Sequence, residues 1–189
     1  GLPVLTGEEK LAKFISIVLH PLLMPTYGFI LIFCTKNYIS TFLLFRSKIV
    51  IIGITFLFTF LFPAINAVVL LKMGRIRSLE MESTKERLIP YGTTALYYFA
   101  LLYLFYNRGF PFIFKLVLLG ATSVILITLL ISIKWKISAH TAGIGGVAGA
   151  ILGMLYRMQM DVELLFFIII LIGGIVGCAR LLLKAHTPA

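Results

Sequence analysis

Aspartate occurs once in the 189 residues, at Asp161, and all acidic residues number seven against 17 Lys and Arg. Enzymes that hold a divalent metal on clustered aspartates, such as prenyl- and phosphatidyltransferases, are disfavoured on that ground. Cysteine is almost as scarce. Cys34 and Cys178 each close an apolar run, so no disulfide framework and no redox compartment is expected. There is no low-complexity tract, no convincing internal repeat and no polar stretch long enough to form a soluble domain. The first apolar run lacks a small-residue cleavage site and continues into a full span, so no cleavable signal peptide is expected.

Apolar residues are what the chain has most of. It is 60% hydrophobic, with a mean hydropathy of +1.07. No soluble domain of this length hides so much apolar surface, which makes this an integral membrane protein. The length permits one membrane domain over 1–189, with six spans of about 20 residues each. The expected fold class is all-α, a polytopic transmembrane helical bundle. Its spans are expected near 14–34, 49–71, 91–106, 112–133, 140–156 and 162–183. His20-Pro21 and Met24-Pro25 should kink the first span or lay its first part along the interface. His20 itself reads as interfacial or structural, away from any site. Gly145, Gly149 and Gly153 recur every fourth residue, and Gly173 and Gly177 repeat the spacing. They are expected to let spans five and six approach closely and draw their ends together.

Span counting then sorts the polar clusters. Two spans separate Arg87 from His140, and two more separate His140 from Arg180. The 72–90 loop, the 134–140 segment and the 180–189 segment should therefore share one membrane face. That face carries eleven Lys and Arg against six on the other. Four of them (Arg77, Lys85, Arg87 and Arg180) are candidate phosphate ligands, and setting them aside leaves seven against six. The positive-inside rule then assigns no compartment to the site. The formal net charge of +10 fits anionic headgroups or an anionic substrate, and no nucleic-acid partner is expected.

A phosphate ester needs cations for its non-bridging oxygens, a nucleophile, and an acid for the leaving oxygen. Arginine suits the first task through its planar fork of donors. Histidine suits the other two, since it titrates near neutral pH. The shared face offers Arg and Lys for binding, His140 and His186 for chemistry, and Ser138 as a neutral donor. Ser138 and Thr141 are also plausible caps for the fifth span, whose N-terminus would favour an anion.

Ile137-Ser138-Ala139-His140, then Arg180 with five residues before His186, follow Arg87 in this order. The set resembles the type 2 phosphatidic acid phosphatase superfamily of membrane lipid phosphatases, over about 60% of the chain. The Ser and His of that family's second motif are kept, without its Pro and Gly. The Arg and His of the third are kept, without its first Ser. Around Arg87 the proline is displaced to Pro90, and Glu80 stands where the first motif has lysine, so Lys85 or Arg77 would supply that cation. The resemblance implies His186 as nucleophile, passing through a phosphohistidine, and His140 as general acid. It implies a phosphate clamp of Arg87 and Arg180 with Lys85 or Arg77, aided by Ser138. No metal and no cofactor is implied. The substrate would be a phospholipid or isoprenoid phosphate, and the setting a bacterial inner membrane. The family's orienting Asp would be residue 190 and a helix would follow, so the chain is expected to be a truncated form.

Two other readings compete. Glu82 and Glu86 have the E-x-x-x-E spacing of undecaprenyl pyrophosphate phosphatases, but that family's Pro-Gly and Ser-Arg-Ser elements are missing. A non-catalytic lipid-binding or transport protein with a degenerate site is the rival of a different class.

Overall fold

The computed structural model describes residues 6–79, 81, 83–135, 137–158 and 162–183, without the side chains of 157 and 158. It is a helical membrane bundle in which, among the described residues, six helical segments are long and apolar enough to cross a bilayer. The first span is two helices, α1 (Gly7–Val18) and α2 (Met24–Cys34), joined by a 3-10 turn at Pro21–Leu23. A short α3 (Tyr38–Phe42) leads into α4 (Phe45–Phe56), a π-helical segment (Leu57–Leu61) and α5 (Phe62–Lys72). The remaining spans are α6 (Thr84–Asn107), α7 (Phe112–Ser132), α8 (Ala139–Met158) and α9 (Glu163–Leu182).

Local chemistry explains the boundaries. Thr6 caps α1 reciprocally with Glu9: Thr6 N donates to Glu9 Oε2 at 2.8 Å, and Glu9 N to Thr6 Oγ1 at 3.3 Å. α1 stops before His20-Pro21 because Pro21 has no N–H to continue the ladder. The π segment of the second span ends two residues before Pro63, whose missing donor breaks the same register. Gly74 and Gly109, at φ +69° and +67°, end α5 and α6 in the left-handed conformation. In both, the following N–H reaches back five residues, from Arg75 to Leu70 O and from Phe110 to Phe105 O.

α6 begins at Thr84, seven residues before the third span was expected to open, because Ser83 Oγ accepts from Glu86 N at 3.3 Å. Arg87 thus stands on a helix and not in a loop. Pro90 sits within that helix, and Thr94 Oγ1 donates to its carbonyl at 2.7 Å.

The packing differs at the two ends. Near the Asn107–Pro111 turn, Phe29 meets Phe114 edge-on at 5.3 Å and Phe105 stacks on Phe110 at 4.3 Å. Phe29, Phe105 and Phe114 are fully buried. At the other end Arg87 on α6 reaches Ile137 O in the α7–α8 connection, so the two connections lie together as span counting requires. Large apolar side chains are exposed along the spans, as with Phe167, Ile170 and Leu171 on α9, which suits contact with lipid.

The glycines do not act as their spacing suggests. A Cβ on Gly145, Gly149 or Gly153 would meet nothing within 4 Å. The close approaches are at Gly143, 3.2 Å from Pro21 Cβ and 3.3 Å from its Cα, and at Gly146, 3.1 Å from Val124 Cγ2. Between α8 and α9 the intimate glycine is Gly173, 3.3 Å from Ile144 Cγ2. Spacing alone misses this, since it cannot say which face of a helix meets a neighbour.

Two outcomes follow. Gly143→Ala should destabilise the protein by about 1–3 kcal/mol through overpacking on the Pro21 backbone. Gly149→Ala and Gly153→Ala should be neutral or stabilising by about 0.5–1 kcal/mol through helix propensity. Thermal unfolding in detergent measures all three. In a background with Cys34 and Cys178 replaced, single cysteines at Ser83 and Trp135 should react with an impermeant thiol reagent from the same side of sealed vesicles. A cysteine at Arg108 should react from the opposite side.

Candidate phosphate site

The spans enclose a chamber of about 1720 Å³. Small-molecule pockets typically measure about 300–1,000 Å³, so this one is large. Its polar lining includes Lys13, His20, Arg87, Tyr91, His140 and Arg180. Glu9, Ser16, Thr94 and Tyr98 also line it, and a mainly apolar wall runs down α7 through Phe112, Leu116, Gly120, Val124 and Thr128, facing Gly146, Ala150, Gly153 and Met154 of α8. From Phe112 to Thr128 a helix rises about 24 Å. One corridor therefore traverses most of the bundle and ends at a cluster of cations and imidazoles.

Arg87 is 4% exposed. Its Nε donates to Met81 O and its Nη1 to Ile137 O, both at 2.8 Å. Met81 adopts φ +49°, an uncommon conformation for a side chain of that kind, and its carbonyl is one of the two that Arg87 holds. Arg87 thus ties the α5–α6 and α7–α8 connections together with two of its five N–H groups. Its side chain also lines the chamber.

His140 stands on the first turn of α8, which Ser138 caps: Thr141 N approaches Ser138 Oγ at 3.5 Å. Nε2 of His140 lies 3.0 Å from Ser16 O on α1. A carbonyl only accepts, so Nε2 carries the proton. Arg180, in the last turn of α9, is half-buried and lines the same chamber. Its charge acts on both His20 and Tyr91.

The chamber gathers Arg87, His140 and Arg180 from three separated parts of the chain. It does not gather the other described candidates. Lys85 is exposed and Arg77 lies in solvent, 3.8 Å from Glu86 Oε1, with its side chain 94% exposed. Neither lines the chamber, since the helix that buries Arg87 turns Lys85 outward. Ser138 serves as the cap of α8 and is likewise outside the lining. His186 lies outside the described residues, as do Glu80, Glu82, Lys136 and Lys184. Among the described residues no three His, Cys, Asp or Glu side chains gather as a metal site would require.

His20 was expected away from the site and belongs to it. Its ring meets that of His140 edge-on at 5.4 Å. Span parity counts the ends of spans, whereas His20 lies at an internal break that falls level with the first turn of α8. The available signal was a histidine beside a proline inside an apolar run, a costly placement in a membrane. Lys13 and Tyr91 were also missed, being an unremarkable basic residue and one tyrosine among eight.

No family description, curated protein or solved structure matches this chain.

Arg87→Met should leave the Met81 and Ile137 carbonyls without their donor and destabilise the protein by about 2–4 kcal/mol. Lys85→Ala and Arg77→Ala should leave the unfolding midpoint unchanged. Thermal unfolding of the three variants in one detergent makes the comparison.

Proposed function

We propose that the protein is a metal-independent membrane phosphatase that hydrolyses a lipid phosphate or diphosphate at the bilayer surface. One observation carries this reading: Arg87, His140 and Arg180 converge at one end of a chamber whose other end is apolar. That pairing suits an amphiphile with a phosphorylated head and a hydrocarbon tail. A phospholipid, or an isoprenoid phosphate, meets the description. The setting is taken to be a bacterial inner membrane.

In the proposed reaction the two arginines neutralise the non-bridging oxygens. His186 attacks phosphorus, the bond from phosphorus to the leaving oxygen breaks, and His140 gives that oxygen a proton. Water, giving its proton back to His140, then cleaves the phosphohistidine and frees inorganic phosphate. The His186 step rests on its place in the sequence, with five residues between it and Arg180.

A non-catalytic lipid-binding or transport role is the second reading. The observation in its favour is that Arg87 already spends two donors on backbone carbonyls, a structural use.

The test is phosphate release from a panel of lipid phosphates and diphosphates in EDTA, using the full natural chain. Release is expected without metal. His140→Ala should lower kcat by about 10²–10⁴-fold, and His186→Ala should abolish turnover. No release, or full activity of His186→Ala, rejects the enzymatic reading. Activity lost only in EDTA points instead to the glutamates of the 80–86 segment.

A further inference from the structure

His20 is built into the break of the first span more tightly than a spacer residue needs to be. It caps the 3-10 turn: Leu22 N donates to its Nδ1 at 3.3 Å. Pro21, the next residue, presses on Gly143 of α8, where a Cβ would come within 3.3 Å of the Pro21 backbone. The ring stands edge-on to His140 at 5.4 Å and to Phe60 at 6.1 Å. It lines the chamber with Arg87, His140 and Arg180, and Arg180 acts on it electrostatically.

The hydrogen bond to Nδ1 decides the ring's chemistry. A nitrogen that accepts an N–H has its lone pair engaged and carries no proton. Protonating it would cost the turn its cap. The ring is therefore neutral and its proton is on Nε2, which makes no hydrogen bond to another described residue. A neutral N–H donor, anchored by its opposite nitrogen, is a common device for orienting an imidazole towards a ligand.

We propose that His20 is an anion-binding residue of this site, donating its Nε2–H to the phosphate head of a lipid held between Arg87 and Arg180. The inference rests on the reading of the chamber as a lipid-phosphate site. His20 contributes orientation rather than charge. The two arginines supply the attraction, and a directional donor beside His140 fixes which oxygens face that ring. The break in the first span then has a purpose: it brings a donor from the N-terminal segment to the end of α8.

Two substitutions separate this role from a structural one. His20→Asn keeps an acceptor where Nδ1 lies, preserving the cap for Leu22 N, and loses the Nε2 donor. His20→Gln places an amide N–H near the position of Nε2 and loses the cap. Binding of dodecyl phosphate to the full chain in maltoside micelles is measured by calorimetry, with inorganic phosphate titrated in parallel to separate head-group from free-phosphate binding. His20→Ala and His20→Asn are expected to weaken dodecyl phosphate binding about tenfold, the loss of one charge-assisted hydrogen bond. His20→Gln should stay within about threefold of the parent on the same scale. Parent-like binding by His20→Asn assigns His20 to the cap alone and overturns the proposal, as does absence of binding by the parent. Should His20→Gln fail to fold, the ¹⁵N shift of His20 Nε2 in the parent is followed on adding dodecyl phosphate, and an unmoved signal overturns it. Phosphate release is read separately. Binding without turnover removes the phosphatase reading and leaves the assignment of His20 to be judged on the Asn and Gln variants.

Discussion

A helix that breaks inside an apolar bundle leaves backbone groups that lipid cannot satisfy, and the cost of each is several kcal/mol in principle. The break between α1 and α2 is where this constraint acts most strongly. Ser16 O is taken by His140, Val18 O accepts from the Tyr27 hydroxyl at 2.7 Å, and Leu22 N is taken by His20. Two of the three groups that complete the break are the imidazoles of the candidate site. The need to satisfy a broken backbone and the gathering of the site are thus one arrangement. Gly143 makes it possible, since a side chain there would hold the Pro21 turn away from α8.

Arg87 plays the matching role on the other side of the chamber. Its two bonds to Met81 O and Ile137 O close two connections over the same end of the bundle. Such a cation is expensive to bury unless its donors are used. Here part of the guanidinium is committed to the backbone, and the side chain also lines the chamber. At the far end the carbonyls left open where α2 stops are taken by side chains of the next turn: Asn37 Nδ2 donates to Ile32 O at 2.6 Å and Ser40 Oγ to Phe33 O at 2.8 Å. The aromatic cluster of Phe29, Phe105, Phe110 and Phe114 fills space there and excludes water. Polar side chains thus close the backbone at both ends, and the aromatic cluster adds dense packing at the far one.

Much of the fold was legible because membrane spans announce themselves. Runs of apolar residues separated by Lys, Arg and Gly-containing turns mark six crossings, and an even count between Arg87, His140 and Arg180 places them at one end. The boundaries were less legible. Tyr91 looked like the start of a span because Pro90 precedes it, yet a proline in an early turn does not stop a helix that Ser83 has already capped. The glycines show another limit. Gly149 and Gly153 have the spacing of a packing face, but they line open space. In the candidate site, Lys85 and Arg77 are plausible by charge and proximity in sequence, yet the rotation of α6 turns Lys85 outward and Arg77 lies in the exposed α5–α6 connection. His20 escapes a parity count, which holds only for the ends of spans.

The sequence by itself determined the class of protein, the number of crossings and the common end of the polar clusters. Each of these depends on composition and on counting along the chain, which hydrophobicity enforces whatever the packing. Only the tertiary structure decided which cations face the chamber, that Arg87 also serves as a tie between connections, and that His20 joins His140. Those outcomes depend on how helices rotate about their axes and on which broken backbone groups must find a partner. A linear pattern does not carry either quantity, because both are set by contacts between residues as far apart as Ser16 and His140.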